Sequence, residues 1–97
     1  MKALRPKQVW ELIGYSERDE FDQVVGMLVR FDKEQLAELK AILWIGKDGQ
    51  NPKHWDALVI EGRAKLDKET PQYLAEEKNL GGDLKKGLEM LESSGRI

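Results

Sequence analysis

The sequence contains no cysteine. That excludes a disulfide framework and thiolate chemistry, and it is compatible with a reducing compartment. It contains a single histidine, His54, so the paired Glu-x-x-His ligands of carboxylate metal bundles cannot be assembled. Long apolar runs are also missing. The longest, Ala41–Ile45, is far short of the roughly 20 residues that cross a bilayer. The basic N-terminus, Met1 to Lys7, is not followed by an apolar segment, so it does not form a secretory signal. Together these absences lead us to expect a cytoplasmic protein. No stretch alternates polar and apolar residues for long enough to form a strand, so no sheet is expected. Proline occurs only at Pro6, Pro52 and Pro71.

What is present suits a small helical domain. The chain has 97 residues, 40% hydrophobic and 35% charged, with a net charge of −2. That length fits one domain spanning 1–97, and the charge gives no general pull toward nucleic acid or anionic lipid. Pro6 suits a first helical position. Val9, Leu12 and Ile13 form the inner side of that helix, and Gly14 is expected to end it. Ser16 is expected to cap a second helix over 17–30, with Phe21, Val24, Val25, Leu28 and Val29 as its buried stripe.

Asp32 and Gln35 have the spacing of a capping box for a central helix, Lys33–Ile45. Leu36, Leu39 and Leu43 line one side of that helix. Ala37, Ala41, Trp44 and Ile45 cover much of the other, so neighbours must wrap it. Gly46 is expected to terminate it in the left-handed conformation. A turn at Lys47–Asn51 follows. Asn51-Pro52 then starts a helix with Trp55, Leu58, Val59, Gly62 and Leu66 inward. Gly62 in that stripe implies close approach of another helix. An antiparallel hairpin of these two helices would bring Trp44 and Trp55 together. Ile60, with Ala57 and Ala64, lies roughly opposite the inner stripe as a second contact face. Thr70-Pro71 repeats the cap-and-proline signal. A last helix places Leu80, Leu84, Gly87, Leu88 and Leu91 on one face, and 93–97 reads as frayed.

Chemistry is sparse. His54 has no nucleophile or carboxylate placed with it, so it reads as a surface residue at a helix start. Glu34 and Glu38 share a helix side and read as solvated carboxylates. Asp48-Gly49 does not make a calcium loop, because Trp44 would occupy the first ligand position. Gly46-Lys47-Asp48-Gly49 lacks the length and the Gly-Lys-Ser/Thr ending of a phosphate loop. No catalytic, cofactor or metal residue is assigned, and no small-molecule ligand is expected. Arg63, Lys65, Lys68, Lys85 and Lys86 form a basic set that carries the alternative reading, a nucleic-acid-associated regulator.

Several pieces share an order and spacing with a known family. They are Glu34-Gln35, Leu43-Trp44-Ile45-Gly46-Lys47, Trp55, Thr70 with Tyr73-Leu74, and Leu84-Lys85-Lys86-Gly87-Leu88. From Lys33 to Glu92 the chain resembles a bacterial family catalogued as domain of unknown function 3775. The family carries Gly-Arg-Gly-Asp where this chain has Gly46-Lys47-Asp48-Gly49. Lys47 therefore replaces an arginine and lacks its planar fork. The resemblance implies a small helical protein and supplies no activity. The expected fold is an all-α bundle of five or six short helices around a central antiparallel helix pair. The expected function is non-enzymatic binding of a protein partner or a second copy. Trp44, Lys47, Trp55, Ile60 and Ala64 are the candidate contact residues.

Overall fold

A computed structural model describes all residues, 1–97. Six α-helices and one short 3₁₀ turn make up the chain, with no strand. They are α1 (Pro6–Glu17), α2 (Phe21–Arg30), α3 (Lys33–Asp48), α4 (Trp55–Ala64), α5 (Thr70–Ala75) and α6 (Leu80–Ser93). The 3₁₀ turn Pro52–His54 leads into α4.

The central helix starts where its sequence says. The Asp32 carboxylate accepts from the Gln35 N–H at 2.9 Å, and the Asp32 N–H donates to Gln35 Oε1 at 2.9 Å. Two orphan donors of the first turn are thereby satisfied. Ala37, Leu39, Ala41, Ile42 and Ile45 are fully buried, as a helix wrapped by neighbours requires.

Its end differs from expectation. Gly46 does not terminate α3; the helix continues to Asp48, and Gly49 takes the left-handed conformation at φ 72°. Gly46 is needed for another reason. A Cβ there would run into the Asp83 carbonyl oxygen of α6, and one at Gly87 would run into the Ile42 carbonyl oxygen. Two backbones touch at this crossing, and only glycine on each side permits it. Ile42 and Gly46 meet the Gly87 and Asp83 end of α6 in reverse order, so α3 and α6 form the central antiparallel pair. Leu80, Leu84, Leu88 and Leu91 carry the expected stripe of α6 into the core, each at most 1% exposed.

The helix after Asn51 does not return along α3 as a hairpin: the residue past its far end, Lys65, and not its start, lies against Trp44. Instead α4 crosses α3. Gly62 approaches the Ala37 carbonyl so closely that a Cβ would lie 2.9 Å from it, which is the contact its sequence position implies. Ala37 and Ile42 lie on opposite sides of a helix with 3.6 residues per turn, so α3 is held between α4 and α6. Trp55, at the start of α4, lines the same hollow as Glu34 and Glu38. Lys65, past its end, reaches Trp44. The crossing separates the two tryptophans that a hairpin would have paired.

The first two helices also depart from expectation. Gly14 lies inside α1, which runs on to Glu17, and the left-handed turn falls at Asp19, φ 56°. Ser16 does not cap α2. Its hydroxyl accepts from the Gly81 N–H at 3.1 Å, satisfying the first turn of α6 from across the fold. The α2 stripe splits as well: Val24, Met27 and Leu28 are buried, while Phe21 and Val29 are exposed. Thr70 is the first residue of α5 rather than its cap. Its buried hydroxyl accepts from the Asp67 N–H at 3.0 Å. The C-terminal residues turn back, and Arg96 donates to the Lys53 carbonyl at 3.1 Å.

Candidate functional site

Two regions of the surface combine exposed apolar or aromatic side chains with charge. The first is the outward face of α4. Ile60 is 71% exposed, and Ala57 and Ala64 beside it are also exposed. Asp56 and Glu61 precede Arg63 and Lys65 along the helix. Arg63 pairs with Glu34 on α3, and Lys65 lies 3.6 Å from Glu61. Next to this face is a hollow of about 790 Å³, lined in part by Met1, Ala3, Trp55, Val59 and Ile60. Of the candidate contact residues, Ile60 and Ala64 share this face. Trp55 is 93% buried at the floor of the hollow, with 7% exposed.

One wall of that hollow is a feature the sequence reading placed wrongly. Glu38 is not solvated; it is 5% exposed. Its carboxylate accepts from three successive backbone N–H groups, those of Lys2 at 2.8 Å, Ala3 at 3.1 Å and Leu4 at 2.7 Å. The N-terminal segment is strapped across the side of α3 by this one side chain, and Leu4 is buried behind it. A signal for this existed. Glu38 lies between Ala37 and Leu39 in a helix apolar all round, and a charge there needs dedicated partners.

The second region is the junction of α3, α4 and α5. Trp44 is half-buried there. The Lys40 ammonium lies 5.7 Å from its ring centroid and the Lys65 ammonium 5.5 Å, within cation–π range. Burial pushes Lys40 below the ordinary lysine range; Asp67 opposes this, and Lys65 adds to it. Leu43, Thr70, Tyr73 and Leu74 complete a hollow of about 170 Å³. Lys47 stands at its edge and donates to Glu77 at 2.8 Å, so it ties α3 to the segment after α5. That hydrogen bond, more than the charge attraction accompanying it, raises the Lys47 pKa. A raised lysine pKa means the pair contributes below the ordinary lysine range. The contribution is lost only as pH climbs through the raised value. The pair is exposed, so it contributes little.

A family model for proteins of unknown function, DUF3775, matches residues 21–93. The chain belongs to the DUF3775 family. The match begins at α2, ahead of the Lys33 start suggested by the sequence pieces alone. No curated protein and no solved structure matches the chain. In this DUF3775 chain, Trp44, Lys47, Thr70 and Tyr73 come from two of the sequence pieces that carry the resemblance, and the fold gathers them around the α3–α4–α5 junction.

Other candidate chemistry stays dispersed. No three His, Asp or Glu side chains gather as a metal would require. His54 is exposed in the 3₁₀ turn. The basic set does not form one face. Arg63 and Lys65 lie on the α4 side of α3 and are paired with acids, while Lys85 and Lys86 are exposed on α6 across the fold. No helix is long and apolar enough to cross a membrane.

Proposed function

We propose that this chain is a non-enzymatic interaction module, and that the partner its α4 face fits best is a second copy of itself. The observation that supports this is Ile60, 71% exposed between exposed Ala57 and Ala64. An isolated exposed isoleucine is ordinary. Here it stands midway between two small residues at helical spacing, which lets a second helix approach closely. Charge follows the same symmetry. An acid leads, at Asp56, and a base follows, at Arg63. Under a two-fold axis near Ile60, two antiparallel α4 helices set Asp56 against Arg63 and Ala57 against Ala64 of the second copy. A two-fold interface is self-complementary in this way.

One helix face buries less than a standard interface, so the dimer should be weak and dissociate on dilution in the micromolar range. Size-exclusion chromatography with light scattering over a wide concentration range checks this. The expected result is a mass rising from monomer to dimer. In Ile60→Asp, two like charges would meet near the axis, and the protein should stay monomeric at every concentration. Wild type that remains monomeric at millimolar concentration overturns the proposal.

A further inference from the structure

The junction at Trp44 brings two lysines to one aromatic ring and meets their charge only in part. Lys40 forms no ion pair, although it is half-buried and held over an aromatic ring. Lys65 faces the same ring and has only a 3.6 Å contact to Glu61, an exposed pair within its own helix. Of the two acids in the wall, Asp67 acts on Lys40 without forming an ion pair with it. Asp67 Oδ1 accepts from the Glu69 N–H at 2.8 Å and from the Thr70 hydroxyl at 3.4 Å, which fixes the entry to α5. Glu77 is taken by Lys47 at 2.8 Å. The two ammonium groups lie 5.7 Å and 5.5 Å from the centroid of one ring, beside a hollow of about 170 Å³, room for a small ligand group. Partial burial of Lys40 strengthens its attraction for an anion relative to a fully solvated lysine.

We propose that Lys40 and Lys65, over the face of Trp44, form a binding site for a compact oxyanion, a carboxylate or a phosphate group. The anion sits between the two ammonium groups, and Trp44 and Tyr73 give its carrier an apolar surface. Tyr73 is 63% exposed at the rim, the type of side chain that carries binding energy at interfaces. The site is independent of the outward α4 face. Ile60 points away from the core, whereas Lys65 turns toward α3.

The test is a titration at low salt, followed by the three tryptophan indole N–H signals in ¹H–¹⁵N spectra. Trp44→Phe assigns the signal of interest. Inorganic phosphate and N-acetylglutamate are the two probes, with sodium chloride as the ionic-strength control. At least one probe is expected to shift the Trp44 signal saturably in the millimolar range, as so small an ion allows. The signals of Trp10 and Trp55 should stay fixed. The tighter probe names the source of the anion, a phosphate-bearing small molecule or an acidic side chain. Lys40→Met should abolish the shift while leaving the melting temperature unchanged or higher, because it removes a half-buried unpaired charge. Lys65→Gln should weaken binding. No saturable shift with either probe, or a shift that persists in Lys40→Met, overturns the site. Ile60→Asp should leave the titration unchanged, so this result and the dimer measurement stand or fall separately.

Discussion

Replacing Gly46 with alanine is expected to destabilise the fold by about 3–5 kcal/mol, the upper range for a single substitution. The added methyl group cannot be absorbed by a side-chain rotation, since the atom it meets is the Asp83 backbone carbonyl. The α3–α6 pair would have to separate along its length, loosening Ile42, Leu84 and Leu88, which are fully buried. For a domain of this size each kcal/mol moves the melting temperature by roughly 4–8 °C, so thermal unfolding followed by circular dichroism resolves the effect easily. Gly26 supplies the contrast. It also lies inside a helix, but a Cβ there meets nothing within 4 Å. Gly26→Ala should stabilise α2 by about 0.5–1 kcal/mol through reduced chain entropy. If Gly46→Ala melts like wild type, the backbone crossing described here is wrong.

The second large effect is expected at Glu38. Its carboxylate serves Lys2, Ala3 and Leu4 together, and no other acceptor replaces it. Glu38→Ala leaves those donors to find water or stay unpaired, at a cost of about 2–4 kcal/mol. Glu38→Gln keeps one oxygen acceptor but turns an NH₂ toward the strap, so it should lose about half as much. Amide hydrogen exchange distinguishes this from a general weakening. Protection of Ala3 and Leu4 should vanish in Glu38→Ala, while protection in α6 falls only by the global loss of stability. Unchanged protection in the N-terminal segment would show that Glu38 does not hold it.

Some features of this fold are decided within a few residues of sequence, and others only by a partner element. The Asp32–Gln35 box and the Leu80–Leu91 stripe are local: cap spacing and helical period decide them within a few residues, and both stand as read. Gly62 was legible because a glycine in the middle of a buried stripe has few other uses. Gly46 and Gly49 were confused because both lie near the end of a helical pattern. Only the partner helix reveals that one of them is a crossing point. Ser16 misled for the same reason. A serine followed by acids looks like a cap, and here it does cap a helix, but α6 rather than α2. The path of α4 was illegible, since turn composition at Gly49–Asn51 does not say whether the next helix returns along α3 or crosses it. The candidate contact residues therefore divide by long-range geometry. Ile60 and Ala64 face outward together, Trp55 is buried, and Trp44 and Lys47 belong to the other junction.

The absence of cysteine makes one measurement decisive for the pairing of α4. Ile60→Cys introduces the only thiol of the chain, at the position near which the two-fold axis should pass. Under mild oxidation at equal protein concentration it should form a disulfide-linked dimer much faster than Lys85→Cys, whose thiol would be exposed on α6. Disulfide geometry demands close Cα approach, so rapid linkage requires the two α4 faces to meet in solution. Linkage of Ile60→Cys no faster than that of Lys85→Cys would contradict self-association through this face.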